Sequence, residues 1–419
     1  MTTVALDERA RVQRRTVRIL SLGQVLGGIA FGATVSLGAL LAADISGSDA
    51  LSGLATASVT LGAALAAIPL ARFAARRGRR FALTLGNLLA LVGIVVVLAA
   101  AAVRVFPFLL VGIVMIGMGN AGNLQSRFAA TDLAPPQHRG RDLSIVVWAT
   151  TIGGVAGPLL LGSGEHLGHT LGMPPHTGSY LFSLVAQIAA FALYLIALRP
   201  DPLLTARALG ETGGTAAAVE RADRPVAARY AIFAIAGSHV TMAAVMAMTP
   251  VHLSHMAMGG MSGSPASGGA EEMDVTVIVG LTIALHVAGM YGLSPVFGIL
   301  ADRWGRLRTV LLGQGLLVAS LCFAMLAGET TWGVIVALIL LGLGWSAATV
   351  AGAALLTEAS APALRTRRQG RSDSLMSLSA AGGAVLAGII LQSSSYAGLA
   401  IAALVVVVAI VALSPLGRR

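Results

Sequence analysis

Long apolar runs recur along the whole chain and limit what it can fold into. A helix needs about 20 predominantly apolar residues to cross the hydrocarbon core of a bilayer. Twelve runs have about that length, at 17–41, 51–71, 81–103, 107–130, 143–163, 178–198, 229–251, 275–298, 309–327, 331–356, 373–392 and 395–415. Charged residues form only 11% of the 419 residues, against about 25% in soluble domains. The pattern predicts an all-α membrane protein with twelve transmembrane helices.

The basic residues are all arginines, and they are spread unevenly between the two sides of these runs. When the runs are taken as successive spans, 27 of the 28 arginines fall on one side, and only Arg104 falls on the other. Cytoplasmic loops collect Arg and Lys, so both termini of this multi-pass membrane protein are predicted to be cytoplasmic. Topology thus explains the net charge of +10, and no nucleic-acid partner is expected.

A polar segment divides the twelve runs into two sets of six. Residues 199–228 are rich in Pro, Gly and charge, and they are predicted to be a cytoplasmic linker between a half at 1–198 and a half at 229–419. The Gly-x-Gly, Thr-acid and Pro positions of 117–136 recur in 342–362. This duplication is typical of secondary transporters, whose substrate site lies between repeats near the midplane of the membrane.

Potential soft metal donors are concentrated between residues 239 and 290. This stretch holds eight of the 14 methionines and four of the eight histidines. Met242 and Met246 lie one helical turn apart in span seven, and His286 and Met290 lie one turn apart in span eight. Thioethers are soft ligands that select Cu(I). The two pairs therefore predict a copper site near mid-membrane, with His239 as an added donor.

The connection between these two pairs is predicted to be a flexible loop, from His252 to Asp274, that captures metal ions outside the membrane. Its proposed donors are His252, His255, Met256, Met258 and Met261. Pro250 removes one backbone hydrogen bond and is expected to bend span seven, which would bring the loop over the buried donors. Methionine is also an ordinary packing residue on apolar helices, so packing beside an unrelated polar substrate site stays open as an alternative.

A glycine- and arginine-containing segment joins spans eight and nine on the predicted cytoplasmic side. It runs Gly-Ile-Leu-Ala-Asp-Arg-Trp-Gly-Arg from residue 298 to residue 306, and it resembles the conserved loop of the major facilitator superfamily. An aspartate at a helix end with nearby arginines can form a charge network that locks the two halves. The predicted gate residues are Gly298, Asp302, Arg303, Gly305 and Arg306. In the first-half copy Ala75 stands where the aspartate is expected, so the second copy is favoured.

The two donor pairs in spans seven and eight resemble those of the CcoA-like copper-uptake branch of that superfamily. The resemblance implies copper import by alternating access, with copper as cargo, no resident cofactor, and an intracellular copper acceptor as partner; a monomer is expected. An efflux carrier for small organic compounds is the alternative, because the glycine-rich run at 153–162 partly resembles an antiporter motif. A metal sensor without transport is a third possibility.

Two absences complete the sequence-based predictions. The chain has no nucleophile elbow, no phosphate-binding glycine loop and no paired catalytic carboxylates, so enzymatic activity is not expected. No Asp or Glu lies in the middle of a predicted span. The titratable groups expected inside the membrane are therefore His239 and His286.

Overall fold

The computed structural model describes residues 3–47, 53–212, 223–260, 282–283 and 285–418, which are helical with short connections and contain no strand. The helices are α1 (Thr3–Ser46), α2 (Gly53–Arg77), α3 (Arg79–Val103), α4 (Phe106–Ala129), α5 (Arg139–Leu159), α6 (Leu161–Thr170), α7 (Ser179–Ala192), α8 (Pro202–Thr212), α9 (Pro225–Gly260), α10 (285–291), α11 (Ser294–Arg303), α12 (Arg306–Leu326), α13 (Thr331–Ala359), α14 (Pro362–Ser393) and α15 (Tyr396–Ala412).

Eight helical segments in the described chain are long and apolar enough to cross a membrane, judged by length and composition. They begin at Ala57, Arg79, Phe106, Ser179, Pro225, Arg306, Thr331 and Pro362, and α15 is a shorter apolar helix. The predicted all-α membrane architecture is confirmed for the described residues. The count of twelve spans and the cytoplasmic location of the termini stay predictions.

Two compact units can be distinguished along the chain. One comprises Met1–Pro225 with Leu356–Leu378, and the other comprises Val226–Leu355 with Ser379–Arg419. The first unit therefore contains α1–α8 and the first part of α14, while the second contains α9–α12, most of α13, the second part of α14, and α15. Each unit has its own apolar core, formed in the first around Leu41, Ile94 and Ile113. The predicted half boundaries at 198 and 229 stay a prediction.

Matching glycines begin the third helix of each repeat. Gly78 lies between α2 and α3 with φ of 89°, and Gly305 lies between α11 and α12 with φ of 108°. Glycine adopts these positive φ values because it has no Cβ. At Gly78 space is also short, since a Cβ would overlap the carboxylate of Asp201, which accepts a hydrogen bond from the Arg80 amide at 2.7 Å. The first-half copy, in which Ala75 stands at the position of Asp302, thus places Gly78 at the position of Gly305, and both glycines have a positive φ.

Glycines also allow α2 and α4 to approach each other at backbone distance in the first unit. A Cβ on Gly62 would overlap the carbonyl oxygen of Val114, and a Cβ on Gly117 would overlap that of Val59. Small residues at helix interfaces are typical of membrane bundles, where close backbone approach increases the van der Waals contact between helices. The first glycine of the repeated Gly-x-Gly pattern thus has a packing role in this unit.

Candidate functional site

The methionines of both predicted donor pairs lie in one hydrophobic cluster of the second unit. Met242 on α9 is 5% exposed and Met290 on α10 is 6% exposed, and the partly buried Met246 packs against the same cluster. Val245 and Leu341 are among its apolar members. The fold therefore brings methionines from two separate helices into one buried region. Ordinary packing of apolar side chains would give the same arrangement as a metal site.

His286 has an unusual hydrogen-bonding state for a wholly buried imidazole. Its Nδ1 lies 2.8 Å from the carbonyl oxygen of Leu338. A carbonyl can only accept, so Nδ1 carries the hydrogen and the lone pair is on Nε2. Nε2 is buried and has no hydrogen-bond partner among the described residues. Histidines that bind metals usually donate their other ring N–H to a carbonyl or carboxylate in this way.

Close packing of α10 against α13 fixes the position of this imidazole. A Cβ on Gly342 would overlap the carbonyl oxygen of His286 and would lie 3.0 Å from the amide nitrogen of Met290. A Cβ on Gly289 would lie 3.0 Å from the carbonyl oxygen of Ile339. Both glycines therefore let α10 lie on the backbone of α13. Gly342 corresponds to Gly117 in the repeat. In both places the glycine lets a neighbouring helix approach at backbone distance, and at Gly342 that helix is α10, which carries the candidate donors.

His239 on α9 contacts Trp345, which belongs to the same hydrophobic cluster as Met242 and Met290. The indole Nε1 of Trp345 donates a hydrogen bond of 2.7 Å to Nδ1 of His239. A neutral His239 ring must then carry its hydrogen on Nε2. The Trp345 ring centroid lies 5.7 Å from the ring centroids of both His239 and Tyr291. The role of His239 as an added metal donor stays a prediction.

The predicted capture loop is wrong for its first residues, because α9 continues unbroken through Pro250 to Gly260. A proline removes only one backbone hydrogen bond, and the Leu, Met and Ala residues that follow are good helix formers. Gly260 is the last residue of α9 that the structure describes. The predicted role of Pro250 as a hinge stays a prediction.

Within this extension, His252 has defined partners. Its ring stacks on Tyr396 with centroids 4.1 Å apart and an interplanar angle of 3°. Its Nε2 lies 2.8 Å from the carbonyl oxygen of Gly328. The side chains of His255, Met256 and Met258, and Met261 as a whole, lie outside the described residues. In the described chain no three His, Cys, Asp or Glu side chains form a metal-binding group, so a metal here would depend on thioethers.

The predicted gate segment forms the turn between α11 and α12. Arg306 Nη2 donates to Asp302 Oδ1 at 3.3 Å across one helical turn. Arg303 is exposed and Gly298 is buried. Arg306 and Asp302 thus form a local ion pair. The role of the segment in locking the two halves stays a prediction.

A stronger charge network lies in the first unit, where the sequence suggested that the gate was incomplete. Arg79 Nε donates to Asp132 Oδ2 at 2.8 Å, and Arg79 Nη2 donates to Asp132 Oδ1 at 3.2 Å and to Gln369 Oε1 at 2.7 Å. The side chains of Arg79 and Asp132 are 1% and 0% exposed. The repeated Thr-acid pattern marked Asp132, but sequence reasoning did not connect it to the arginine that follows Gly78.

A second buried ion pair in the first unit joins α4 to α14. Arg127 Nη2 donates to Asp373 Oδ1 at 2.5 Å, with side chains 4% and 0% exposed. Helix α14 begins at Pro362, before the predicted span start at residue 373, so Asp373 lies about three turns from the start of this helix. Arg127 is buried against its carboxylate. The expectation that His239 and His286 are the titratable groups inside the membrane stays a prediction.

Comparison with known proteins identifies the family. The family model described as Major Facilitator Superfamily matches residues 20–271 and 270–418. The chain therefore belongs to the major facilitator superfamily, whose members are transporters rather than enzymes.

Individual proteins support this assignment over nearly the full chain. The MFS-type transporter YddS of Bacillus subtilis is 35% identical over 407 residues, covering 94% of this chain and 89% of that protein. The riboflavin transporter RfnT of Brucella anthropi is 30% identical over 418 residues, covering 97% and 98%. The crystal structure of the human organic anion transporter MFSD10 (TETRAN) is similar in fold, with a TM-score of 0.69, 18% identity, and coverage of 96% and 99%.

Proposed function

We propose that this transporter imports copper across the bacterial cytoplasmic membrane by alternating access, as a twelve-helix protein of two six-helix halves with both termini in the cytoplasm. The observation that carries the proposal is the buried imidazole of His286. Its Nδ1–H is committed to a carbonyl, and its Nε2 lone pair is buried without a partner among the described residues. A buried acceptor left unsatisfied is costly, and coordination of a cation would satisfy it.

The chemistry of the neighbouring side chains agrees with a soft monovalent cation. Met242, Met246 and Met290 supply neutral thioethers in the same hydrophobic cluster, and His286 supplies a neutral imidazole. Such donors favour Cu(I) over hard divalent ions. They can exchange a bound ion one ligand at a time, so that no bare charge is exposed to hydrocarbon. In this proposal, donors near the end of α9 deliver the ion to the buried site.

Copper accumulation tests the proposal directly. Cells that lack other copper importers would express the wild type, the Met242→Ala/Met246→Ala double variant or His286→Ala, and radioactive copper would be followed over time. Met248→Ala is the matched control, because Met248 lies on the same helix but packs in a different cluster with Ala244. We expect uptake by the wild type and the control, and loss of uptake in the other two variants.

The outcomes of this assay separate the alternatives. Normal copper uptake by folded double and His286 variants would refute the proposed site. Faster copper loss from cells with the wild-type protein would mean that the same donors belong to an exporter. No response to copper in either direction would refute copper as cargo and favour a carrier of organic compounds, including an efflux carrier.

A planar organic solute is the second candidate cargo. RfnT is named as a riboflavin transporter and is 30% identical to this chain. Trp345 is only 4% exposed and contacts both His239 and Tyr291, and such aromatic groups can stack on a flavin-like ring. Labelled riboflavin uptake in a riboflavin auxotroph distinguishes the two cargoes. A flavin carrier would lose uptake with Trp345→Leu and keep it with Met242→Ala/Met246→Ala, whereas a copper carrier would not rescue the auxotroph.

A further inference from the structure

The turn between α2 and α3 lacks an ion pair that the corresponding turn of the second repeat has. In the second copy, Asp302 near the end of α11 accepts a hydrogen bond from Arg306 in the first turn of α12, and this pair joins the two helices. In the first copy Ala75 stands at the position of Asp302. Arg79, at the position of Arg306, pairs with Asp132 instead. Helices α2 and α3 are therefore not joined in the way that α11 and α12 are.

The predicted linker supplies a carboxylate to the start of α3. Asp201, the residue before α8, accepts a hydrogen bond of 2.7 Å at Oδ2 from the backbone N–H of Arg80. Its Oδ1 accepts from the backbone N–H groups of Leu203 and Leu204 at 3.0 and 3.1 Å, as an N-cap residue does. The first N–H groups of a helix have no partner within that helix. One carboxylate thus caps both α8 and α3 and joins them.

The same helix also contacts α2. Arg207, in the second turn of α8, donates a hydrogen bond of 2.7 Å from Nη1 to the carbonyl oxygen of Ala75. Ala75 lies two residues before Arg77, the end of α2, among the last carbonyls, which have no partner within the helix. A cation at the end of α2 and an anion at the start of α3 both match the helix dipoles. Helix α8 therefore bridges α2 to α3 through the residue that replaces the missing aspartate.

The bridge lies next to a close helix contact. At the turn itself a Cβ on Gly78 would overlap the carboxylate of Asp201, so this carboxylate lies directly against the backbone. One helical turn before Ala75, a Cβ on Gly370 of α14 would overlap the Cβ of Ala71. Packed interfaces of this kind switch between discrete arrangements rather than deforming continuously. The position of the end of α2, which α8 holds, therefore decides whether this contact with α14 is made.

We propose that Asp201 and Arg207 are positioning residues of this transporter, which make α8 a working part of the first repeat. The bridge through α8 does for α2 and α3 what the pair of Asp302 and Arg306 does for α11 and α12. It holds the end of α2 in the position that contacts the first part of α14. The segment predicted as a linker is thus more than a tether between two halves. The proposal goes beyond the proposed function, because it does not depend on which cargo is carried.

Hydrogen exchange tests the bond between the linker and α3. In Asp201→Asn the side chain has one oxygen, which can cap α8 but cannot also accept from the Arg80 amide. The protection factor of that amide, measured with single-residue resolution in nanodiscs, should fall by about tenfold or more, as expected for loss of a hydrogen bond to a charged group. The matched control is Asp44→Asn, the same change at an exposed carboxylate on α1 that pairs with Arg104. It should leave the Arg80 amide as protected as in the wild type.

The distance between α2 and α14 tests the positioning role without any cargo. Arg76 and Arg371 are both exposed, and they would be replaced by cysteine for spin labelling in a Cys322→Ala background. Pulsed electron resonance in nanodiscs would give the distribution of distances between the two labels. We expect Asp201→Asn and Arg207→Gln each to add a longer distance that the wild type does not show, because each variant breaks one end of the bridge.

A second-site variant separates positioning from a local structural effect. In Ala75→Asp/Asp201→Asn, the new carboxylate lies one turn before Arg79 and can join α2 to α3 directly. This variant should regain the wild-type distance distribution, while the Arg80 amide stays poorly protected. A wild-type distribution in Asp201→Asn, or no recovery in the double variant, would overturn the proposal. If Asp201→Asn does not fold, Arg207→Gln with and without Ala75→Asp provides the same test.

Discussion

Adding one methyl group at Gly342 should disturb the candidate copper site without changing any donor. In Gly342→Ala, the new Cβ would overlap the carbonyl oxygen of His286 and lie 3.0 Å from the Met290 amide nitrogen. Carbon and oxygen atoms come no closer than about 3.3 Å even in favourable contacts. The backbones of α10 and α13 would have to separate by roughly 1 Å, since neither can move aside like a flexible side chain.

The energetic cost can be worked out from three terms. Overpacking a well-packed interior costs about 1–3 kcal/mol, while the higher helix propensity of alanine returns up to about 1 kcal/mol. The 2.8 Å hydrogen bond from His286 to Leu338 would stretch beyond bonding distance, which adds about 1–3 kcal/mol because both groups are buried. The net expectation is a loss of roughly 1–6 kcal/mol of stability and a misplaced imidazole.

Two assays check this expectation. Cys322 on α12 is the only cysteine and is not fully exposed, so a fluorogenic thiol reagent can report thermal unfolding without engineering. The expected loss corresponds to a midpoint lowered by at least about 1 °C, together with weaker copper uptake. The control is Gly315→Ala on α12, where a Cβ meets nothing within 4 Å; its midpoint should stay the same or rise. Wild-type stability and uptake in Gly342→Ala would refute the packing argument.

Two further predictions concern the predicted cytoplasmic surface. Arg368 donates to both carboxylate oxygens of Asp223 at 2.6 and 2.7 Å, and this pair with the Ala361 N–H lowers the Asp223 pKa from its ordinary value of 3.8. Because the folded pKa is the lower one, the pair stabilises above about pH 4 and is lost as the pH falls through the lowered value. The protection factor of the Ala361 amide against hydrogen exchange should therefore fall in acid, and it should be lowered at neutral pH in Asp223→Asn. Equal protection factors in that variant and the wild type would contradict this. Gly305→Ala should cost about 1–3 kcal/mol through its φ of 108° alone, because a Cβ there meets nothing within 4 Å, and an unchanged unfolding midpoint would show that the backbone is not strained.

The apolar runs and arginine distribution were sufficient to predict an all-helical membrane protein, because hydrocarbon thickness sets helix length directly. The Gly-x-Gly repeat could be seen in the sequence, but its function could not. Only the structure shows that Gly117 and Gly342 each lie against the backbone of a neighbouring helix. Contact between segments that are distant in the sequence leaves no local sequence pattern. The Met and His pairs were found by helical spacing, and their common burial agrees with that spacing.

The charged interior was the main feature that sequence reasoning missed. The sequence places Asp373 at the first residue of a predicted span but gives no sign of its ion-pair partner Arg127 on α4. Pairing between α4 and α14 depends on residues 246 positions apart. Hydropathy and local periodicity carry no information about such a pair. The helical extension of α9 was missed because Pro250 is a strong local signal for a helix bend or end. In the structure the helix continues through this proline.

That extension makes α9 a lever. Its 36 residues correspond to about 54 Å of helix, whereas the hydrocarbon core is only about 30 Å thick. From Met242 to Gly260 the axis runs about 27 Å, so a rocking of about 10° centred on Met242 would sweep the tip through roughly 5 Å. A small rotation of α9 at the buried donors would thus produce a larger displacement at Gly260. A single fluorophore attached there could follow each turnover.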